Sequence, residues 1–168
     1  MSEQRRATVD SLDLAGIQQL AASMLRHLPR PLVIGLVGTL GAGKTSLVQA
    51  IARAAGIDST DVTSPTFTLL QSHHGSLTLH HLDAYRVADE DEFLELGVDE
   101  LFDDEQAWTL IEWADRVKDV MPTNTLWIEI IIGDDASLRS VTFTTTVDDV
   151  ARAVNRVIDE AKRAEETS

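Results

Sequence analysis

The stretch GTLGAGKT, residues Gly38–Thr45, decides the fold of this chain. It matches the pattern G-x-x-x-x-G-K-[ST], in which the glycines let backbone N–H groups approach a phosphate that a Cβ would keep at a distance. Lys44 can place a positive charge at the β- and γ-phosphates, and the Thr45 hydroxyl can bind Mg²⁺. The stretch therefore predicts a phosphate-binding loop for a nucleoside triphosphate.

The segments on either side of the loop are those that such a loop requires. Residues 32–37 (LVIGLV) form a continuous apolar run typical of a strand buried on both faces. Residues 45–55 read as a helix that ends at Gly56. The N-terminus of this helix would direct unpaired N–H groups and a positive dipole end at the same phosphates. We expect the nucleotide to be bound by Gly41, Ala42, Gly43, Lys44, Thr45 and Ser46.

Hydrophobic periodicity predicts the remaining elements. Residues 11–28 repeat apolar side chains every three or four positions, which predicts a helix capped by Ser11. A further helix is expected over about residues 147–162. The segments with strand character are residues 67–71, 77–82, 107–111, 126–132 and 141–145. The first two and the last two of these segments are expected to form hairpins.

Together these elements predict an α/β protein with a single domain over residues 1–168 and a core over about 10–145. We expect a three-layer P-loop NTPase fold whose mixed, mainly parallel sheet carries antiparallel hairpins. The apolar face of the helix over about 147–162 is expected to pack against this core, and a partner site on that face is the alternative.

The charge of the chain excludes several classes of ligand. Its 168 residues include 28 acidic and 14 basic side chains, a formal charge of −14. Nucleic acids and anionic lipids are bound mainly through cationic contacts, so we expect no tight direct binding of nucleic acid and no membrane association. The absence of cysteine excludes disulfides, and residues 1–10 do not resemble a secretory signal. We expect a soluble, cytoplasmic protein.

Negative charge is concentrated in one part of the chain. Residues 83–119 hold 14 acidic and three basic side chains, a local net charge of −11. A run of like charges is most often a solvated face. A docking surface, or a cluster of carboxylates directed at a metal, is the alternative for this run.

Two carboxylates within this run are candidates for the chemistry of hydrolysis. A hydrolase of nucleoside triphosphates needs acidic residues near the phosphate loop to hold Mg²⁺ and to orient water. Asp83 and Glu112 each stand at the end of a predicted strand, which is where such residues are expected. The alternative for either residue alone is a solvated carboxylate at a strand end.

The sequence favours adenine over guanine as the base. A GTPase needs an N-K-x-D signature and a D-x-x-G after the phosphate loop, and neither occurs in this part of the chain. Small P-loop kinases usually carry an arginine-rich lid, whereas the arginines here are dispersed: Arg53, Arg86, Arg116 and Arg139. ATP with Mg²⁺ is therefore the expected ligand pair, and a small-molecule kinase stays open as an alternative.

Four motifs occur in the order found in a known family. They are Gly38–Ser46, Val62–Phe67 (VTSPTF), His81–Arg86 (HLDAYR) and Glu112-Trp113. In this order they resemble the motifs of the TsaE ATPase family, the small bacterial P-loop protein required for threonylcarbamoyl modification of tRNA at adenosine 37. The resemblance covers about residues 10–145, and it includes the leucine–glycine segment Leu94–Leu101. One departure is Thr39, where the family usually has aspartate.

The resemblance implies a role for each matching residue. The implied catalytic residues are Lys44, Asp83 and Glu112, and the implied Mg²⁺ ligands are Thr45 and Glu112. Asp83 would serve the hydrolysis step and Glu112 the Mg²⁺ ion, although these two roles could be exchanged. The implied switch loop, which faces the γ-phosphate, consists of Ser64, Pro65 and Thr66. Further implied contacts are made by Trp113 beside the nucleotide or a partner, Arg139 at the nucleotide, and Asp10 near the adenine.

The resemblance also implies a function for the chain. It implies an Mg²⁺-dependent ATPase subunit of the tRNA threonylcarbamoyladenosine machinery, in which TsaD- and TsaB-like partners carry out the transfer chemistry. Hydrolysis by the isolated chain is expected to be slow, because a partner often completes the catalytic geometry of such ATPases. The alternatives are the small-molecule kinase and a nucleotide-gated binding module with negligible turnover.

Overall fold

The computed structural model describes residues 3–63 and 69–166. The strands are β1 Arg5–Leu12, β2 Leu32–Val37, β3 Leu70–His74, β4 Thr78–Asp83, β5 Ala107–Glu112, β6 Leu126–Ile132 and β7 Arg139–Thr145. The helices are α1 Leu14–His27, α2 Lys44–Ala54, α3 Glu90–Leu94, α4 Val98–Phe102 and α5 Asp148–Glu166. Two stretches of 3₁₀ helix cover Ser59–Asp61 and Ala114–Val120.

The seven strands form one sheet in the order β1-β7-β6-β2-β5-β4-β3. The central strands β6, β2, β5 and β4 run parallel, whereas the pairings of β1 with β7, β7 with β6 and β3 with β4 are antiparallel. The expected α/β fold, with a mixed sheet that is parallel in its centre and carries two hairpins, is confirmed. Because parallel strands end at the same edge, the loop after β2 lies beside the ends of β4 and β5.

Helices cover the two faces of the sheet unequally. Helices α1, α2 and α5 pack on one face and form the larger apolar core with alternate residues of the strands. On the other face, α3, α4 and the 3₁₀ segment Ala114–Val120 cover the β2, β5 and β4 region, where Val33, Phe93 and Ile111 are buried together. Strand β2 is therefore buried on both faces, as its continuous apolar run predicts.

The N-terminal region differs from the sequence-based expectation. Residues 5–12 form β1, an edge strand paired with β7, and α1 begins at Leu14 rather than at residue 11. Ser11 lies in β1 with φ 58° and does not cap the helix; the cap is Asp13, whose Oδ1 accepts from the N–H of Gly16 at 2.8 Å. The strand was missed because an edge strand needs little apolar sequence and its pairing partner lies far along the chain.

The first hairpin is confirmed, with a shorter turn than expected. Residues 72–74 belong to β3 and pair with residues 78–80 of β4, so the turn consists of residues 75–77. A Cβ on Gly75 would lie 2.3 Å from the carbonyl oxygen of Ala55, which explains the glycine at this turn. The polar side chains of His73 and His74 predict a loop. They belong to a strand here, because an edge strand that is exposed to solvent tolerates polar residues.

The last helix packs on the core, as its apolar face predicts. Helix α5 spans Asp148–Glu166, four residues beyond the expected end, and it packs against α1, β1 and β7. The face turned towards them buries Val150, Ala153, Val154, Val157 and Ile158. Among residues 3–63 and 69–166, no helix combines the length and the apolar character that a membrane span requires.

Candidate nucleotide-binding site

The loop between β2 and α2 has the backbone geometry of a phosphate-binding loop. Gly41 and Gly43 have φ values of 79° and 112°, in the left-handed region that glycine enters without a steric penalty. Gly38 is needed for a different reason, because a Cβ at this position would lie 2.7 Å from the carbonyl oxygen of Ile130. Helix α2 begins at Lys44, one residue earlier than expected, and directs its N-terminus into the loop.

Lys44 is buried beneath the loop with its ammonium group between three partners. Its Nζ donates to the carbonyl oxygens of Gly38 (2.7 Å) and Thr39 (3.0 Å), and it lies 3.9 Å from the ring centroid of Trp113. Burial lowers the pKa of Lys44, and the charges of nearby carboxylates, led by Glu112, oppose this shift. The cation is therefore placed where a phosphate could replace the carbonyl oxygens.

Glu112 is the buried carboxylate at the end of β5 and lies directly beside the loop. Its Oε1 and Oε2 lie 2.8 and 3.0 Å from the Thr45 hydroxyl, which donates to the carboxylate. Its Oε2 also lies 2.5 Å from Nε2 of His81. His81 belongs to β4, and its side chain has no exposed surface. The structure thus brings together Thr45 and Glu112, the two residues expected to bind Mg²⁺.

Asp83 lies next to Glu112 at the same edge of the sheet. The two residues are register partners of the parallel strands β4 and β5, and both are buried. The Asp83 carboxylate accepts a hydrogen bond from the backbone N–H of Tyr85 at 2.8 Å. The two proposed acidic residues therefore lie side by side near Lys44, whose pKa reflects the charge of each.

An aromatic cluster borders the ammonium group of Lys44. Trp113 follows β5 with φ 59°, which turns the chain sharply after Glu112. Its ring packs on that of Tyr85 with centroids 4.8 Å apart, and the Arg116 guanidinium lies 5.6 Å from the Tyr85 ring centroid. Trp113 therefore lies beside Lys44 and the phosphate-binding loop. Sequence reasoning missed Arg116 as part of this cluster, since only the turn at Trp113 brings it there.

Arg139 contacts the phosphate-binding loop at Ala42. Its Nε donates to the carbonyl oxygen of Ala42 (2.7 Å), and its Nη1 donates to the carbonyl oxygens of Ala136 and Leu138. A cavity of about 130 Å³ lies next to it, lined among others by Leu12, Asp13, Ile17, Gly43, Ser46 and Arg139. This cavity is the candidate place for the base or ribose.

Asp10 does not line this cavity. It is exposed on β1, where its carboxylate accepts a hydrogen bond from the Ser140 hydroxyl at 2.8 Å. Asp13, three residues further along the chain, is the aspartate that borders the cavity. The expected switch residues Ser64, Pro65 and Thr66 lie outside the described residues.

The donor set fits Mg²⁺ that is shared with phosphate. Mg²⁺ in nucleotide sites is held by one or two protein oxygens, with phosphate and water as the remaining ligands. Thr45 and Glu112 provide such oxygens, and Asp83 is close by. Within residues 3–63 and 69–166, no group of three or more His, Asp or Glu residues is placed to hold a metal on its own.

This fold and this loop define the class: the chain is a P-loop nucleotide-binding protein. Comparison with known proteins identifies the family within this class. The profile of the family described as "Threonylcarbamoyl adenosine biosynthesis protein TsaE" matches residues 12–141. The chain belongs to the TsaE family, which acts in threonylcarbamoyladenosine biosynthesis for tRNA.

Individual relatives agree with this assignment. The tRNA threonylcarbamoyladenosine biosynthesis protein TsaE of Bacillus subtilis (strain 168) is 38% identical over 146 residues, which are 86% of this chain and 87% of that protein. The TsaE of Treponema pallidum (strain Nichols) is 40% identical over 105 residues, 62% of this chain and 76% of that protein. The crystal structure of YdiB from Bacillus subtilis matches with a TM-score of 0.71 and 27% identity, over 98% of each chain.

Proposed function

We propose that this chain is an Mg²⁺-dependent ATPase subunit required for threonylcarbamoyladenosine modification of tRNA at adenosine 37. The observation that carries the proposal is the 2.8 Å hydrogen bond from the Thr45 hydroxyl to Glu112, with Lys44 and Asp83 buried beside it. Hydrolysis of a nucleoside triphosphate needs a cation for the phosphates, oxygen ligands for Mg²⁺ and a group that orients water. The absence of guanine-binding motifs in the sequence supports ATP as the nucleotide.

Each residue of the site has a proposed task. The N–H groups of Gly41–Thr45 bind the β- and γ-phosphates, while Lys44 exchanges its bonds to loop carbonyls for bonds to phosphate oxygens. Thr45 and Glu112 hold Mg²⁺, which when bound neutralises charge on the phosphates. Asp83, the register partner of Glu112 on β4, orients the attacking water, and the hydrogen bond from Thr45 favours Glu112 over Asp83 as the Mg²⁺ ligand.

We further propose that the chain works in the cytoplasm with TsaD- and TsaB-like proteins. A formal charge of −14 disfavours direct contact with tRNA, so a partner is needed to bring the chain to its pathway. Apolar surface lies beside the nucleotide site, where Leu40 at the tip of the loop is 78% exposed and Tyr85 is 42% exposed. Exposed apolar and aromatic side chains of this kind suit a protein interface.

A second surface is proposed to contribute through its charge. The helices α3 and α4 and the residues around them present seven exposed acids: Asp89, Asp91, Glu95, Asp99, Glu100, Asp103 and Glu105. We call this set the acidic surface. No basic residue occurs between Arg86 and Arg116 to neutralise it locally, and a basic face of a partner protein would complement it.

The test of this function is release of phosphate from ATP. Wild type and the variant Glu112→Gln are compared with and without TsaD- and TsaB-like proteins, in Mg²⁺ and in EDTA. We expect slow release by wild type alone, stimulation by the partners, and loss of at least about tenfold in the variant, because an amide is a poor Mg²⁺ ligand. Equal turnover by Glu112→Gln would remove the proposed acidic role.

The same assay separates the rival activities. Transfer of the γ-phosphate to an added metabolite, independent of partner proteins, would identify a kinase. ATP binding with no phosphate release under any of these conditions would identify a nucleotide-gated binding module. Hydrolysis that rises only with the partner proteins is the result that the proposal requires.

A further inference from the structure

His81 is a buried histidine of β4 that contacts the proposed Mg²⁺ ligand Glu112. Its side chain has no exposed surface, and its Nε2 lies 2.5 Å from Oε2 of Glu112. Since an ionised carboxylate can only accept hydrogen bonds, the Nε2–H group of His81 is the donor. The carboxylate of Glu112 therefore accepts from two directions, from the Thr45 hydroxyl and from the His81 ring.

Packing alone does not account for a histidine at this position. Nδ1 of His81 is buried and has no hydrogen-bond partner among the residues that the structure describes. A leucine would fill a similar space without leaving a buried polar atom unpaired, so the histidine costs stability that the leucine would not. Departures of this kind from the local rules of packing are typical of functional sites. Within residues 3–63 and 69–166, the hydrogen bond that the ring makes goes to Glu112.

The sheet holds the ring of His81 in a fixed place. In the pairing of β4 with β5, His81 is the register partner of Leu110, and Asp83 is the register partner of Glu112. His81 and Asp83 are two residues apart, so their side chains leave the same face of the sheet. The ring reaches Glu112 along the diagonal between two central, parallel strands. The hydrogen bond from the ring to Oε2 restrains the rotamer of the Glu112 carboxylate.

We propose that His81 is a positioning residue, which orients the Glu112 carboxylate and, through it, the Thr45 hydroxyl. The proposal rests on the proposed Mg²⁺–ATP site. With the carboxylate oriented by the ring, Thr45 donates its proton to the carboxylate, and the lone pairs of the Thr45 oxygen stay available for a cation. His81 itself contacts neither nucleotide nor metal. It acts only by keeping the two expected ligands in the geometry that Mg²⁺ requires.

The test compares three substitutions of His81 that differ in where they place a hydrogen-bond donor. His81→Gln puts an N–H at the position of Nε2, His81→Asn puts it nearer the backbone, and His81→Leu removes it. The measurement is the dissociation constant for ATP in Mg²⁺ and in EDTA, together with the melting temperature of each variant. The control is His80→Leu, since His80 is the adjacent buried histidine and its ring bonds instead to Ser72 and Asp104.

The expected result is a change in the benefit that Mg²⁺ gives to ATP binding. This benefit is the ratio of the dissociation constant for ATP in EDTA to that in Mg²⁺. His81→Leu and His81→Asn lose about tenfold of this benefit, as removal of a charge-assisted hydrogen bond would. Their affinity for ATP in EDTA stays unchanged. His81→Gln and His80→Leu keep the benefit of wild type within about twofold. If His81→Leu does not fold, the pair His81→Gln and His81→Asn decides the question.

A second readout needs neither nucleotide nor metal. In imidazole ¹H–¹⁵N spectra of the protein without ATP or Mg²⁺, the His81 Nε2–H signal is expected to be protected from exchange and to shift in Glu112→Gln. An equal Mg²⁺ benefit in all variants, or no Mg²⁺ benefit in wild type, would overturn the positioning role while leaving ATP binding intact. Failure of wild type to bind ATP at all would instead contradict the proposed function.

Discussion

At the scale of single residues, Lys44 is held by groups that a phosphate can replace. Its ammonium group donates to two carbonyl oxygens of the loop and faces the ring of Trp113. Burial lowers the pKa of Lys44, which means that burial destabilises its charged form. A full negative charge close to the ammonium group therefore stabilises that form. Phosphate binding would supply that charge.

Gly38 gives a prediction at this scale. A Cβ at residue 38 would meet the carbonyl oxygen of Ile130 at 2.7 Å, and a backbone atom of a central strand cannot easily move away. We expect Gly38→Ala to lower the free energy of unfolding by about 1–3 kcal/mol and to weaken ATP binding, because the loop is pushed off β6. Chemical denaturation and calorimetric titration with ATP measure the two effects.

The control for Gly38→Ala is Gly97→Ala. Gly97 has φ 78° with open space around it, so alanine there adds backbone strain at a turn between α3 and α4, away from the loop. Gly97→Ala is expected to lose stability and to keep its affinity for ATP. If both variants bound ATP as wild type does, close packing of the loop on β6 would not matter for the site.

At the scale of elements, α5 is attached to α1 by one carboxylate as well as by its apolar face. Glu160 of α5 accepts from the Ser23 hydroxyl at 3.1 Å and lies 2.5 Å from Nε2 of His27, and Arg26 also donates to it. All three partners belong to α1. The contact joins the last helix to the first one and keeps the apolar stripe of α5 in register with the core.

We expect Glu160→Ala to lower the free energy of unfolding by about 1–2 kcal/mol, because partly buried partners on α1 lose their acceptor. Asp159→Ala is the matched control, since Asp159 is exposed on the same helix. The affinity for ATP should be equal in both variants, as neither residue lies near the loop. Equal unfolding free energies for Glu160→Ala and wild type would show that the apolar face alone attaches α5.

The elements also show what the sequence can and cannot predict. The loop and its flanking strand and helix are predictable, because the sequence pattern is local and continuous along the chain. The edge strand β1 is not, since its pairing with β7 spans more than a hundred residues and buries little apolar surface. The bond from His81 to Glu112 is equally hidden, because it depends on the register between β4 and β5.

At the scale of the whole molecule, the negative charge has a defined location. The acidic surface lies on α3, α4 and their flanks, while the apolar residues of the same segment, such as Phe93 and Val98, are buried beneath it. Asp83 and Glu112, from the same stretch of sequence, are buried at the nucleotide site instead. The acidic stretch of the sequence therefore contributes two buried carboxylates to the candidate nucleotide site and the exposed carboxylates of the acidic surface.

The proposed partner contact predicts a dependence on salt. If the acidic surface faces a basic partner, raising the ionic strength from about 0.05 M to 0.5 M should weaken association with TsaD- and TsaB-like proteins several-fold. Replacing Asp99, Glu100 and Asp103 by their amides should reduce both affinity and salt dependence. Amides at Glu3, Asp159 and Glu166 are the control. If neither salt nor these substitutions changed the affinity for the partners, the acidic surface would have no role in docking and would be a solvated face.

The central claim is that the loop Gly38–Thr45 binds the phosphates of ATP, and its most direct test is the dissociation constant for ATP in Mg²⁺. Wild type and Lys162→Ala, which removes an exposed lysine of α5, should bind equally. Lys44→Ala should bind at least about tenfold more weakly, because it removes the buried cation that is expected to contact the phosphates. Equal affinity of Lys44→Ala and wild type would contradict the claim.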